Sequence, residues 1–506
     1  MTPSPIREIF AIDQAGFPVL STLVFVPLVT ALVVLFLRDP RAARRAALTG
    51  ALVELLVTLF VFSRFIPGTA DMQLVERQPW IPTLGASYHL GIDGVSVLFV
   101  GVTALLTLLI LVVSPLDSNS SGRGFFAGIL GLSAAAMGIF TSLDLILFFI
   151  FWETSLVPVF FVVSLWGVGP ERRYAAMKFV LTMLASSGPL LLGIVLLAVL
   201  GRESSADSLT FDWMVLRERH VPPAVGPTVF FLILIGLAVK GPFVPLHTWM
   251  PTMLRECPAA LGVVMTGLKF GSYGVIRLIV PLVPEATGRY AWLLGAIGAT
   301  GIVYGALIAL VQPNLRRLLS FSCLSHVGYI LLGISTGSVE GISGAALAML
   351  NLGLSATGLF FLTGFLQTRV GSSETSALGG VARHAPRAAV MFILFGLASI
   401  GLPGTSGFVG EHLILLSAYR KDLVLLGLAL LGTVLGAAYV LTVFEKAFLG
   451  PVTRPRVTSM KDLDTAEWGI LVCLAICILA IGVNPGPVLS IVEPSAKALA
   501  AAISPQ

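Results

Sequence analysis

The stretch GLAVKGPFVPLHTWMP, residues 236–251, places a lysine in an apolar run and follows it at once with helix-breaking residues. Gly241, Pro242 and Pro245 come directly after Lys240. Proline has no backbone N–H to donate, and glycine lacks the side chain that favours a helix. A helix that enters this stretch is therefore interrupted just after its lysine. The rest of the sequence indicates whether this interruption lies in water or in a lipid bilayer.

The composition is that of a membrane protein. Over 506 residues, 56% are hydrophobic, 11% are charged and the mean hydropathy is +0.96, which gives more apolar surface than a water-soluble core can bury. A transmembrane helix needs about 20 mainly apolar residues. The sequence therefore predicts an all-α, polytopic membrane protein with fourteen transmembrane helices. Their approximate ranges are 18–37, 46–66, 91–114, 125–141, 143–167, 174–200, 227–253, 257–282, 291–312, 318–336, 341–368, 388–416, 422–445 and 467–491.

The basic residues of the loops predict the orientation. The loop after the first span reads RDPRAARRA, residues 38–46. If this loop is cytoplasmic, the inside segments hold 17 Lys and Arg residues and the outside segments hold 10. Short cytoplasmic loops collect Lys and Arg, so both termini are predicted to lie outside. The net charge of +5 follows largely from this topology and requires no nucleic-acid partner.

The predicted spans contain many ionisable side chains. They are Glu54, Glu153, Lys178, Lys240, His247, Lys269, Arg277, His326, Glu411 and His412. A charge at the bilayer centre costs on the order of 3 kcal/mol, and such residues usually mark an ion or proton pathway. Glu153, Lys240, Lys269 and Glu411 each fall well inside a span. Acids and bases held together at that depth are suited to exchanging protons.

Other polar residues of the spans have simpler interpretations. Glu54 has no evident partner and is expected to be structural or to face a neighbouring subunit. Arg277 lies near the outer end of its span and is expected to extend toward the lipid headgroups. For Lys178 that role and a place in a channel are both open. Asp93 and Asp144 precede helices and are expected to cap them.

A second interrupted helix is predicted in the stretch GLPGTSGFVGEHLIL, residues 401–415, which ends near Glu411. Lys240 and Glu411 are 171 residues apart, and Glu153 and His326 are 173 apart. Because this offset equals five spans, the second unit is predicted to be an inverted repeat of the first. The predicted division is helices 1–3 in 1–124, a first five-helix repeat in 125–282, an inverted repeat in 291–448, and helix 14 with the tail in 449–506.

At these residues the chain resembles the antiporter-like membrane subunits of respiratory complex I, and among them the chain M group. The similar motifs run through nearly the whole chain in order. They are YHLGIDGVSVLFV (88–100), LILFFIFWETSLVPVFF (145–161), VKGPFVPLHTWMP (239–251), LKFGSYGVIRL (268–278), YGALIALVQPNLRRLLSFSCLSHVGY (304–329), LPGTSGFVGEHLIL (402–415) and NPGPVLSIVEPS (484–495).

The resemblance implies a proton pathway along the membrane plane. Glu153 matches the glutamate of helix five that pairs with the helix-seven lysine, Lys240. Lys269 matches the central lysine of helix eight, His326 the histidine of helix ten and Glu411 the terminal residue on helix twelve. We also expect His247, Lys178 and Asn351 to be candidates for lining the channel.

The sequence departs from the family pattern at several positions. Asn351 stands where the family has the histidine of helix eleven, and asparagine does not titrate, although it can hold a water molecule. The stretch 250–258, MPTMLRECP, and Asn314-Leu315-Arg316 also differ from the usual motifs. These changes point to a divergent copy of chain M and put the usual central relay in doubt.

Three functions fit these observations. The first is a proton-translocating subunit of NADH-quinone oxidoreductase in the bacterial inner membrane, with neighbours that resemble chains L and N. The second is a subunit of a cation/proton antiporter, and the third is a scaffold in a hydrogenase-like or other complex whose relay has decayed. The sequence shows no dinucleotide turn and no cysteine cluster. FMN, iron–sulfur clusters and quinone are therefore expected in partner subunits, with no cofactor in this chain; lipids are the other expected partner.

Overall fold

A computed structural model of the protein describes residues 6–114, 122–200, 209–219, 221–452 and 454–503. Residues 201–208 and 220, which lie between the predicted spans 174–200 and 227–253, are outside this description.

The described chain is mainly helical. Its first elements are β1 (Glu8–Phe10), α1 (Ala11–Ala15), α2 (Val19–Phe36), α3 (Pro40–Arg64), β2 (Met72–Ile81), β3 (Ala86–Ile92) and α4 (Ser96–Val113). The next are α5 (Arg123–Thr141), α6 (Leu145–Thr154), α7 (Leu156–Trp166), α8 (Arg172–Leu200), α9 (Trp213–Glu218), α10 (Gly226–Lys240), α11 (Trp249–Glu256), α12 (Ala259–Gly267), α13 (Phe270–Gly274) and α14 (Val280–Leu282). The last are α15 (Pro284–Arg289), α16 (Ala291–Leu310), α17 (Leu315–Ser335), α18 (Val339–Val370), α19 (Val381–His384), α20 (Pro386–Ser399), α21 (Ser406–Lys421), α22 (Leu423–Val443), α23 (Pro455–Thr458), α24 (Thr465–Val483) and α25 (Gly486–Ile503).

Membrane-spanning helices dominate this architecture. Within the described residues, 12 helical stretches are long and apolar enough to cross a bilayer. Two shorter apolar helices, α10 and α20, occupy predicted spans seven and twelve, and each is followed by a second helix. The prediction of a multi-pass membrane protein with these two helices broken is confirmed. The count of fourteen spans and the inverted repeat remain predictions.

The structure interrupts two of the predicted spans and shortens a third. Span five is interrupted at Ser155, between α6 and α7, and span eight is divided between α12, α13, a π-helical turn at Val275–Ile279 and α14. The last span ends at Val483 rather than near 491, and α25 follows as a separate helix. Pro485 lies between these two helices and has no N–H with which to continue the first one.

The all-α prediction missed a small sheet at one end of the bundle. β1 pairs in parallel with β2, and β2 pairs antiparallel with β3. β1 precedes the first predicted span, and β2 with most of β3 lies between the predicted spans 46–66 and 91–114. A two-stranded hairpin has little stability alone, and here buried polar contacts attach it to the helices.

The helices at the centre of the bundle pack closely because glycines face each other. α17 and α18 are buried along nearly their whole length. Where α16 crosses α17, a Cβ placed on Gly328 would lie 2.4 Å from the carbonyl oxygen of Gly298. Small residues of this kind allow helix backbones to approach in a membrane, where lipid provides no hydrophobic driving force for association. The centre therefore holds its polar side chains in fixed positions.

His89 connects the sheet to the bundle outside the membrane-spanning helices. It is completely buried, with Nδ1 3.2 Å from Asp212 Oδ2 and Nε2 3.1 Å from Glu8 Oε1. Arg77 contacts the same Asp212 oxygen at 2.7 Å. Burial lowers the pKa of His89, but the bonds to Asp212 and Glu8 outweigh it and raise the pKa. Burial raises the pKa of Asp212, but His89 and Arg77 outweigh it and lower the pKa.

This cluster predicts a pH dependence of stability with two limbs. The contribution of His89 is complete below the ordinary histidine pKa and is lost as the pH rises through its raised value. The contribution of Asp212 is present above the ordinary aspartate pKa and is lost as the pH falls through its lowered value. His89→Gln is expected to remove about 3 kcal/mol of unfolding free energy, because it breaks a buried ionic cluster.

The measurement is amide hydrogen exchange of residues 8–10 and 72–81 as a function of pH, together with thermal unfolding. Once the exchange rates are corrected for their intrinsic rise with pH, His89→Gln is expected to abolish the loss of protection of these amides at alkaline pH. His384→Gln, a change in a short peripheral helix, is the matched control and is expected to alter stability by less than about 0.5 kcal/mol. Equal effects of the two substitutions would contradict this role for His89.

Candidate functional site

The break in predicted span seven begins immediately after Lys240, the last residue of α10. The chain then runs through eight residues that are not helical before α11 starts at Trp249. The Trp249 indole N–H donates 2.7 Å to the carbonyl oxygen of Val239, which satisfies a backbone group near the break. On the neighbouring helix, a Cβ on Gly271 would lie 2.3 Å from the Cα of Gly241, so only glycine permits this contact.

The ammonium of Lys240 is held by the interruption in span five. Its Nζ donates to the carbonyl oxygen of Trp152 at 2.6 Å and to Ser155 Oγ at 2.7 Å. The same Nζ lies 4.2 Å from the ring centroid of Trp152, a cation–π distance. Pro158 lacks the N–H that would bond to Thr154, which explains why the helix is interrupted here. The carbonyl end of α6 carries partial negative charge and thus favours a cation at this place.

Glu153 is adjacent to this arrangement. Its side chain is half-buried, and Ser187 Oγ donates to Glu153 Oε1 at 2.5 Å. The ion pairs formed by the described residues at 4.0 Å or less include no contact between Glu153 and Lys240. Their pairing therefore remains a prediction, with the carboxylate held beside the lysine by a serine of α8.

Lys269 lies at a helix interruption as well. It separates α12 from α13, with φ −98° and ψ 59°, outside the helical range. Its buried Nζ donates to the carbonyl oxygen of Thr266 in the last turn of α12. The helix that follows it, α13, packs against α17, which carries Cys323 and His326 one turn apart. Both central lysines thus donate hydrogen bonds to carbonyl oxygens at helix ends, in the place where a carboxylate could bind.

His326 and Glu411 are brought together in the bundle interior. His326 Nδ1 and Glu411 Oε1 are 3.6 Å apart, and both residues are buried. The other ring nitrogen, Nε2, is buried and has no hydrogen-bond partner among the described residues. Glu411 packs against the break in span twelve: a Cβ on Gly401, whose φ is +74°, would lie 2.5 Å from Glu411 Oε2. The positive φ and the close carboxylate both require glycine at 401.

Asn351 joins the two halves of the same broken helix. Its Nδ2 donates to the carbonyl oxygen of Ala398 at the end of α20, at 3.3 Å. Its Oδ1 accepts from Ser406 Oγ, the first residue of α21, at 2.8 Å. A Cβ on Gly407 would lie 2.0 Å from that same carbonyl oxygen of Ala398. The amide of Asn351 is thus used by the protein to bridge the break beside Glu411.

His247 and Lys178 share a cavity of about 310 Å³. Lys178 Nζ donates to the Thr248 carbonyl oxygen at 2.9 Å and to Thr252 Oγ1 at 3.2 Å. His247 is buried, its Nδ1 has no partner among the described residues, and its ring packs on Tyr304 at 5.2 Å. The cavity extends from charged residues of the predicted inner loops, including Arg255, to the break in span seven.

One interpretation made from the sequence was wrong. Arg277 does not extend to the headgroups: it is buried, and its Nη2 lies 3.1 Å from Oδ1 of Asp93. Glu54 is completely buried within this chain and Ser133 Oγ donates to it at 2.6 Å, which agrees with the structural alternative of the two expected for it. Asp93 and Asp144 do cap helices, by accepting from Ser96 N and from Leu147 N respectively.

Several residues of the site were missed by sequence reasoning. Ser155 and Ser187 hold Lys240 and Glu153, and Pro158 was a signal that could have identified the break at Ser155. Trp152 was quoted only as part of an apolar motif, yet its carbonyl and ring both contact the lysine. Within the described residues, no group of three or more His, Cys, Asp or Glu side chains is arranged to hold a metal ion.

The bridge at Asn351 generates a stability prediction. Asn351→Leu removes both hydrogen bonds and leaves Ser406 Oγ buried without its acceptor, which is expected to cost about 1–3 kcal/mol. Ser355→Ala, one turn away on α18, removes only a bond to a helix carbonyl and serves as control. The measurement is thermal unfolding of the detergent-solubilised protein. A cost for Asn351→Leu no larger than that of the control would exclude the bridging role.

Comparisons with known proteins agree with this architecture. A family model described as NADH:quinone oxidoreductase/Mrp antiporter, TM, matches residues 142–436. The chain is 32% identical to NADH-quinone oxidoreductase subunit M of Rickettsia typhi, over 95% of this chain and 98% of that protein. It is 34% identical to F(420)H(2) dehydrogenase subunit M of Methanosarcina mazei, over 95% and 98%.

A solved structure has the same fold over nearly the whole chain. A chain of respiratory complex I from Thermus thermophilus with bound NADH superposes with a TM-score of 0.88 at 31% identity, covering 96% of this chain and 100% of that one. The sequence match and the structural match both extend across the broken helices and the buried ionisable residues. The chain therefore belongs to the NADH:quinone oxidoreductase/Mrp antiporter transmembrane family, as the motifs of the sequence predict.

Proposed function

We propose that this chain is the proton-translocating membrane subunit, equivalent to subunit M, of an NADH-quinone oxidoreductase. The single observation that supports it most is the contact between His326 and Glu411, 3.6 Å apart and buried beside a broken helix. A histidine and a carboxyl group this close at membrane depth can exchange a proton once the contact shortens to a hydrogen bond or one water bridges it. The similarity of the whole chain to subunit M relatives supports the assignment to this complex.

The proposed switch is electrostatic. Two unit charges about 4 Å apart interact by roughly 4 kcal/mol at an effective dielectric near 20. A change of that size in the interaction between Glu153 and Lys240 is enough to change which form of the lysine predominates. Because Ser187 holds Glu153, and the Trp152 carbonyl and Ser155 Oγ hold Lys240, a small movement of α6 against α10 changes their separation. Charge in an adjacent subunit would act on the same pair.

The proposed route then runs from Lys240 through Lys269 and His326 to Glu411. The packing of α13 on α17 supports the step from Lys269 to His326, and the contact between His326 and Glu411 supports the last step. Asn351 takes no part as a proton carrier, because an amide does not titrate. Its two hydrogen bonds to the broken helix support a positioning role instead. The missing histidine of helix eleven therefore leaves a direct path from His326 to Glu411.

Proton uptake is proposed to use the cavity that contains His247 and Lys178. It joins charged residues of the predicted cytoplasmic loops to the break after Lys240. An unpartnered buried histidine nitrogen needs water or another polar group within the cavity. This assignment follows the positive-inside orientation, which places both termini on the outer side of a bacterial inner membrane.

The neighbours proposed for this subunit are chains that resemble L and N, together with lipid. FMN, iron–sulfur clusters and quinone are assigned to other subunits of the complex. An antiporter subunit is the second candidate, because the matched family description names both systems. The similarity of the whole chain to subunit M relatives favours subunit M. Proton movement that requires oxidation of the electron donor would separate the two functions.

Removing the proposed carriers is expected to stop coupled turnover. Lys240→Ala and Glu411→Gln are each predicted to lower donor-driven proton uptake into inverted membrane vesicles by about tenfold or more, as loss of an essential proton carrier should. Assembly is checked on native gels. Lys421→Gln, at an exposed lysine of α21, is the matched control and is expected to leave pumping unchanged. Normal pumping by assembled Lys240→Ala and Glu411→Gln complexes would rule out the proposed route.

A further inference from the structure

Glu54 is a buried acid that the proposed route does not use. It lies in the middle of α3 and is 0% exposed. The route runs through α6, α10, α12, α17 and α21, whereas Glu54 points at α5, where Ser133 Oγ lies 2.6 Å from its Oε1. It is thus a separate ionisable site in the first part of the chain.

Ser133 continues into a short chain of hydroxyl groups. Thr107 Oγ1, on α4, lies 2.8 Å from Ser133 Oγ and 2.8 Å from the carbonyl oxygen of Thr103. Thr107 has one hydroxyl hydrogen for these two acceptors. The chain therefore has two hydrogen arrangements, one pointing toward Glu54 and one pointing away from it.

The surroundings of Glu54 select between these arrangements. Among the described residues, no cation forms an ion pair with Glu54, and its Oε2 is buried without a hydrogen-bond partner. An unpaired carboxylate at membrane depth, with one of its two oxygens unsolvated, is costly. A carboxylic acid avoids this cost and provides a hydrogen for Ser133. Ser133 can then donate to Thr107, and Thr107 to the Thr103 carbonyl, so that each hydrogen of the chain has an acceptor.

We propose that Glu54, Ser133 and Thr107 form a second proton-binding site. In this site the carboxylic acid of Glu54 holds one proton and donates a hydrogen bond to Ser133 Oγ. Loss of that proton reverses the chain, so that Thr107 donates to Ser133 and Ser133 to the carboxylate. The proton leaves to water, the Glu54 O–H bond is the only covalent bond broken, and Thr107 gives up its hydrogen bond to the Thr103 carbonyl.

The far end of this chain lies near the central helices. α4 packs on α12, where a Cβ on Gly267 would lie 2.5 Å from Leu106 Cδ1, and Leu106 directly precedes Thr107. Lys269 follows α12 by two residues. The site thus lies beside α12, which ends two residues before Lys269, and it holds one proton there. Its protonation does not depend on the route proposed above, because none of its members belongs to that route.

The test is infrared difference spectroscopy of the purified complex in H2O and D2O. Glu54→Gln is expected to remove one deuterium-sensitive C=O band of a protonated carboxyl group. Ser133→Ala is expected to shift that band by removing the hydrogen-bond partner of the acid, and Thr107→Val to shift it less. Glu340→Gln, at a surface acid paired with Arg420 at 2.6 Å, is the matched control and is expected to remove a carboxylate band instead.

Two results would overturn the proposal. If Glu54→Gln removes a carboxylate band, as the control does, Glu54 is ionised and holds no proton. If the carboxyl band is unchanged in both Ser133→Ala and Thr107→Val, the acid does not donate into the hydroxyl chain. Should Glu54→Gln prevent assembly, the shift in the two hydroxyl variants still decides between these outcomes, because each retains Glu54.

Discussion

Backbone carbonyl groups at interrupted helix ends are the constraint on which the rest of the site depends. In a bilayer, neither a cation nor a free carbonyl has water to bind. The protein satisfies both requirements at once: Lys240 donates to Trp152 at the end of α6, and Lys269 donates to Thr266 at the end of α12. A carbonyl dipole stabilises an ammonium without pairing it permanently with a carboxylate. The lysines therefore remain responsive to the charges around them.

The interruptions are made stable by close backbone contacts. Gly241 meets Gly271 where α10 ends, and Gly401 leaves space for the carboxylate of Glu411. Asn351 then links the two halves of the second broken helix. Glycine at these places is required by space and, at 401, by the positive φ. These contacts fix the ionisable side chains relative to one another, which a continuous helix with the same residues would not do.

Ionisable groups away from the lysines have different kinds of partner, and each arrangement suits a different role. Arg277 is paired with Asp93 and surrounded by aromatic rings, so that it is held permanently charged. His89 is held between two carboxylates outside the membrane and secures the sheet. His326 and Glu411 are neither permanently paired nor fully satisfied. A residue that exchanges a proton needs an atom that is free to form a new hydrogen bond, and His326 Nε2 is such an atom among the described residues.

The sequence by itself determined the membrane class, the two breaks after Lys240 and before Glu411, and the buried residues that make up the proposed route. Composition and the positions of Pro and Gly act locally, so they can be interpreted along the chain. Only the tertiary structure decided what each side chain contacts: the Trp152 carbonyl for Lys240, Asp93 for Arg277, and Ser133 for Glu54. These partners are 88, 184 and 79 residues away. Helix packing sets such long-range contacts, and no local pattern in the sequence records them.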